Sequence, residues 1–128
     1  MGLFKNLFGG NSSNTENSIW ETVESVEDLD KIFLVSLERP QIIFKHSTNC
    51  GVSFFVMRNL NTPEIYENDQ IDLHLIDVIR NRSISQVFAE RIDVRHESPQ
   101  IFIIKDGEVI WHASHNLVNA KNVIENLG

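Results

Sequence analysis

An α/β domain, with helices on both faces of a mixed, mostly parallel sheet and an antiparallel hairpin near the C-terminus, is expected from three features of this 128-residue chain. Short apolar, β-branched runs alternate with stretches whose apolar residues recur at helical spacing, the pattern of strands and helices packed in three layers. The pair Asp106-Gly107 separates the apolar runs QIFIIK and EVIWH, a strong signal for a tight hairpin. The length suits one domain with its own buried core.

Residues 1–18 read as a flexible N-terminal segment, because GGNSSNTENS at 9–18 is small and polar without periodicity; the domain is expected over 19–128. Met1-Gly2 begins like an N-myristoylation signal, but Asn6 stands where that signal has Ser or Thr. Ile19 to Val23 is expected as a short strand, and Ser25 is placed to cap a helix opening at Val26. Val26, Leu29, Ile32, Phe33 and Leu37 recur at helical spacing and give the segment 26–37 a buried face, and Pro40 stops its continuation. Gln41 to Lys45 is an apolar, β-branched interior strand. Beyond Gly51, the residues Val52, Phe55, Val56 and Leu60 mark a second amphipathic helix ending before Pro63. Glu67 to Gln70 reads as a loop and Ile71 to Ile79 as a strand. Ser83 is placed to cap a helix over 83–92 with the stripe Ile84, Val87, Phe88 and Ile92. The hairpin follows Pro99, and Leu117, Ala120, Val123, Ile124 and Leu127 predict a closing helix. The order is β-α-β-α-β-α-β-β-α, with Trp20 and Trp111 as core or edge aromatics.

Composition narrows the function. A net charge of −7 argues against a nucleic-acid partner, which needs clustered Lys and Arg. No apolar run approaches the roughly 20 residues of a membrane span, and MGLFKNLFGG lacks the apolar core of a secretion signal. A single cysteine excludes an internal disulfide and points to a reducing cytoplasm. His46, His74, His96 and His112 lie in or beside expected strands without zinc-ligand spacing to Cys50, so no metal is expected. A monomer is expected as well.

That cysteine lies in HSTNCGVS, residues 46–53, between an expected strand and an expected helix. Unpaired N–H groups and the positive end of the dipole at a helix N-terminus favour a thiolate over a thiol, and the thiolate is the species that attacks disulfides. The polar Ser47-Thr48-Asn49 argues against a merely buried thiol. Ser53, one turn on, is placed to offer a hydroxyl to the sulfur, and Gly51 leaves the sulfur open. Because Ser53 cannot form a disulfide, release of a bound partner has to come from an external thiol.

The element order, the cysteine at a helix start and SPQIFIIKDGEVI resemble the thioredoxin fold over about residues 19–128. The resemblance implies a cis bond before Pro99 and a Ser98 whose backbone receives an incoming substrate strand facing the cysteine. Within that superfamily the match is to the monothiol bacilliredoxins of the YtxJ type, whose motif is similar to K-H-S-T-x-C-P-x-S. Lys45, His46, Ser47, Thr48, Cys50 and Ser53 agree, and Gly51 departs where that family has proline. The resemblance implies a thiol-disulfide oxidoreductase with bacillithiol as cosubstrate and bacillithiolated proteins as partners, working through a Cys50 mixed disulfide. Cys50 and Ser53 would then be catalytic, with Lys45, His46, Thr48, Gly51, Ser98 and Pro99 on the substrate side. Arg58, Arg95 and His96 would join Lys45 and His46 in a positive rim for carboxylates. QIIFK holds no acid, so proton transfer would fall to solvent, His46 or Ser53. The quartet CGVS also approaches the CGFS of monothiol glutaredoxins, which hold a [2Fe-2S] cluster with glutathione. Against that, Val52 replaces their aromatic residue and their upstream lysine has no clear counterpart. An interaction module with an inert thiol is the third reading.

Overall fold

The computed structural model of the chain describes residues 19–48 and 51–128. Among these, β1 (Glu21–Thr22), β2 (Gln41–His46), β3 (Asp72–Asp77), β4 (Gln100–Lys105) and β5 (Glu108–Ser114) form one sheet in the order β1-β3-β2-β4-β5. The helices are α1 (Val26–Val35), α2 (Gly51–Leu60), the short α3 (Pro63–Tyr66), α4 (Arg82–Ile92) and α5 (Ala120–Glu125), with a 3₁₀ turn at His115–Leu117. The first three strands run parallel, and β4 runs against both β2 and β5. No described helix is long and apolar enough to cross a membrane.

Strand β2 is central, and every one of its residues is buried. Successive side chains of a strand point to opposite faces, and QIIFKH supplies both. Ile42 and Phe44 join Val56, Met57 and Leu60 of α2 and Val123 of α5 in one apolar cluster. Ile43 joins Leu29 and Ile32 of α1, Phe88 of α4 and Phe102 of β4 in the other, where the Phe88 and Phe102 rings meet edge to face at 4.9 Å. A strand with an apolar residue on each face can only sit between two helical layers, which is the α/β/α arrangement the alternation predicts.

Local chemistry sets the element ends. Ser25 caps α1 by accepting from Asp28 N. The helix stops at Val35 rather than near 37 because Ser36 turns its hydroxyl to other work: it donates to Phe33 O and accepts from Gly107 N, while its carbonyl accepts from Asp106 N. Residues Asp106 and Gly107 take positive φ there, as the Asp-Gly signal requires. Leu37, expected on the buried face, is therefore 58% exposed, and Val26 at the other helix end is 39% exposed. Strand β1 is shorter than Ile19 to Val23: only Glu21 and Thr22 pair with β3, while Trp20 turns inward and donates from Nε1 to Asn61 Oδ1. Strand β3 ends at Asp77, whose Oδ1 takes the amides of Ile79 and Arg80. Ser83 does not cap α4: Asn81 occupies the cap position, without a side-chain bond. Pro63 both ends α2 and opens the unexpected α3, since proline suits a first helical turn. Asn119 caps α5 by accepting from Asn122 N, so Leu117 lies outside that helix and is exposed.

Candidate active site around the cysteine loop

Cys50 and Asn49 lie outside the described residues, so the site is built from what flanks them. On the upstream side β2 delivers Lys45 and His46, and on the downstream side α2 delivers Gly51 and Ser53. The third contribution is the segment between α4 and β4, where the Ser98-Pro99 peptide bond is cis, as the thioredoxin resemblance implies.

Ser53 is fully buried, and its hydroxyl accepts from Ser47 N at 3.1 Å, closing the base of the loop. A hydroxyl has one donor and two acceptor sites, so its own hydrogen is left for another partner. The buried face of α2 is Ser53, Val56, Met57 and Leu60, whereas Val52 and Phe55 are 55% and 70% exposed. Of the apolar residues counted from Val52, Val56 and Leu60 lie on that face, whereas Ser53 and Met57 take the places expected for Val52 and Phe55. Thr48 and Gly51 are both exposed, and no atom lies within 4 Å of the place where a Cβ on Gly51 would stand. Gly51→Ala is accordingly expected to keep the fold and to raise stability by up to about 1 kcal/mol through helix propensity. Thermal unfolding checks this; a loss of that size would mean the space is not open.

Lys45 and His46 do not form an exposed rim. Adjacent in β2, they point to opposite faces of the sheet. Lys45 is 0% exposed and lies on the α1 and α4 side, 5.5 Å above the Phe102 ring. Its ammonium donates to His96 Nδ1 at 2.9 Å and to Gln100 Oε1 at 3.2 Å. Burial brings its pKa from 10.5 down to about 8. His46 is 2% exposed on the α2 side, its ring stacked on Phe44 and edge-on to Phe54, with Nδ1 buried and unpartnered. Burial lowers its pKa, opposed by the charge of Asp77, so the ring is neutral near pH 7.

Gln100 is the residue that sequence reasoning passed over. It stands directly across from Lys45 in the antiparallel register and is buried. Its Oε1 accepts from Lys45 and from Glu97 N, and its Nε2 donates to Arg95 O. With the Lys45 to His96 bond, two buried side chains thus fasten three consecutive residues, 95 to 97, just ahead of Ser98-Pro99. The available signal was a lone amide in the strand QIFII, opposite a lysine in QIIFK. Pro99 is buried, and its carbonyl accepts from His115 N, tying the segment to the 3₁₀ turn. Ser98 is half-buried, its hydroxyl unpartnered. Arg58, Arg95 and His96 are exposed. Burial and the neighbouring Lys45 charge, in that order, lower the His96 pKa, with Glu97 opposing. Among the described residues no three of His, Cys, Asp or Glu are grouped to hold a metal ion.

One solved structure, described as having a thioredoxin fold, matches with a TM-score of 0.77 at 24% identity over 89% of this chain and 98% of that one. The thioredoxin of Fasciola hepatica matches with a TM-score of 0.65 at 19% identity, covering 84% of this chain and 95% of its own. That of Malassezia sympodialis matches with a TM-score of 0.62 at 15% identity, over 84% and 87%. These likenesses show the fold. A family description, monothiol bacilliredoxin BrxC, matches residues 21–123, which takes in every strand, the HSTNCGVS loop and the cis proline. A single cysteine, a serine where a second would stand and a thioredoxin scaffold thus come together in one lineage of thiol oxidoreductases: the chain belongs to the monothiol bacilliredoxin family.

Proposed function

We propose that the protein removes a low-molecular-weight thiol, bacillithiol, from mixed disulfides on other proteins. The Cys50 thiolate attacks the small-thiol sulfur of the mixed disulfide. The bond to the client breaks, the client leaves as a thiolate, and Cys50 carries the small thiol. A second small-thiol thiolate then attacks this adduct, leaves as a disulfide of two small thiols, and returns the Cys50 thiolate. Electrons balance: the client disulfide is reduced, and two small thiols end as their own disulfide.

The reading rests on one observation above all. Ser53, where a dithiol enzyme carries its resolving cysteine, is a buried residue whose hydroxyl braces the loop through Ser47 N, and the chain has no other sulfur able to resolve the adduct. In this scheme the first amides of α2 favour the Cys50 thiolate. The Ser98 backbone receives the client strand, and the Lys45 and Gln100 clamp holds that segment in place. A reducing cytoplasm is the setting the scheme needs, with the protein acting as a monomer. The test is turnover of a bacillithiolated client: release of client thiol should rise in proportion to added bacillithiol and vanish in Cys50→Ser. Sustained release without any free thiol would contradict the scheme.

A further inference from the structure

Helix α4 has two faces. Ile84 and Phe88 enter the core, whereas Arg82, Ser85, Gln86, Ala89 and Glu90, at i, i+3, i+4, i+7 and i+8, line a cleft of about 750 Å³. Val78 and Ile79, which directly follow β3, form a second wall, and His96 closes a third. A cleft of this volume falls within the range of small-molecule sites, roughly 300 to 1,000 Å³.

Its position is informative. Val78 N donates to His46 O at 3.0 Å, so this wall is tied to the end of β2, from which the cysteine loop departs. His96 stands three residues before Pro99. The cleft thus opens beyond the carboxyl ends of parallel strands, where ligands of open α/β sheets collect.

The chemistry is equally uneven. Among the described residues, the side chains of Arg82, Gln86 and Glu90 have no hydrogen-bond or ion-pair partner, and the Ser85 hydroxyl is buried without one. Lys45 donates to His96 Nδ1, which leaves the ring hydrogen on Nε2 as a donor for the cleft. Arg82 and Glu90 lie at the two ends of the stripe, roughly 12 Å apart along the helix axis.

We propose that this cleft holds the non-sulfur part of the small thiol, with a ligand carboxylate on Arg82, an ammonium on Glu90 and a hydrogen-bonding skeleton against Gln86 and His96. It rests on the de-thiolating reading above. A carboxylate also carried by many metabolites would be met by Arg82 alone; the pair with Glu90 selects an amino-carboxylate.

Two measurements decide it. Isotope-labelled Cys50→Ser protein, which forms no adduct, is titrated with bacillithiol and, separately, with malate. Amide resonances of Val78, Ile79, Gln86 and Ala89 should move with bacillithiol, and Arg82→Ala or Glu90→Ala should weaken that binding about tenfold. Malate should bind more weakly, and its binding should fall in Arg82→Ala but not in Glu90→Ala. Silence at these amides, or binding indifferent to both substitutions, overturns the proposal. With Cys50 intact, the same substitutions should raise KM for a bacillithiolated peptide about tenfold at unchanged kcat. Unchanged KM alongside normal turnover overturns the cleft but leaves the reaction standing. Absent turnover in the unsubstituted protein overturns the reaction instead, and the titration alone then judges the cleft.

Discussion

Ser53→Cys is expected to replace the accumulating Cys50 adduct with an internal disulfide and to make the first release of small thiol independent of free thiol. The Ser53 side chain already lies at the base of the loop, fully buried, with Oγ 3.1 Å from Ser47 N. A sulfur in its place belongs to the same short segment as Cys50. It would attack the Cys50 sulfur of the adduct, expel the small thiolate and leave a bond between residues 50 and 53. Effective concentrations of tethered groups reach the millimolar range and above, so against micromolar external thiol the adduct should decay about a hundredfold faster. The fold should tolerate the exchange. Cysteine packs as a small hydrophobe, and weakening the Ser47 amide bond costs about 1 kcal/mol. Mass spectrometry after one turnover reads the result directly; an adduct as durable as in the unsubstituted protein would show that Ser53 does not face the reacting sulfur.

Lys45→Met should yield a protein at least as stable at pH 7, with a different response to alkali. The lysine holds an ammonium in the core with two neutral partners and an aromatic face, and no acid. Its removal strands little: Gln100 Oε1 keeps Glu97 N, and exposed His96 turns to water. Replacing a buried charge by an apolar side chain of similar volume is often neutral or stabilising. The sign of the pH effect follows from the lowered pKa, 10.5 to about 8. Below pH 8 the lysine is charged in both states and the folded protein bears the cost of burying it. Between about 8 and 10.5 the unfolded chain binds the extra proton, so raising pH stabilises the lysine-containing protein relative to Lys45→Met. Above that window the cost is gone. The gain across it is on the order of 3 kcal/mol at most. Denaturant unfolding of both proteins at pH 7 and pH 10 measures it, other titrations cancelling in the difference. A difference that ignores pH, or a variant weaker by more than about 1 kcal/mol at pH 7, would mean the ammonium is stabilising where it lies.

What the sequence discloses divides by physical cause. Strand β2 and the hairpin were legible because QIIFK and QIFIIKDGEV satisfy local rules with strong signals: apolar on both faces, and a turn that needs positive φ. On α2 the spacing places Val56 and Leu60 correctly but not Val52 and Phe55, because burial of Ser53 depends on Ser47 across the loop, a contact no periodicity reveals. Lys45 belongs to the family motif, yet its burial depends on Gln100 and His96, more than fifty residues later. A charged residue in a strand is ordinarily read as surface, and only register shows otherwise. Leu37 and Leu117 were counted as helical stripe residues, but the helices end or begin short of them. The cis proline came from resemblance alone, since nothing local distinguishes it.

In the proposed cycle one sulfur carries the small thiol, and only a second small thiol removes it. Intact-protein mass spectrometry of the unsubstituted chain, mixed with a bacillithiolated client and no free thiol, addresses it most directly. One bacillithiol should add at Cys50 in step with client release, stay until bacillithiol is supplied and then be lost. Client release with Cys50 unmodified, or an adduct that clears with no thiol present, would contradict it.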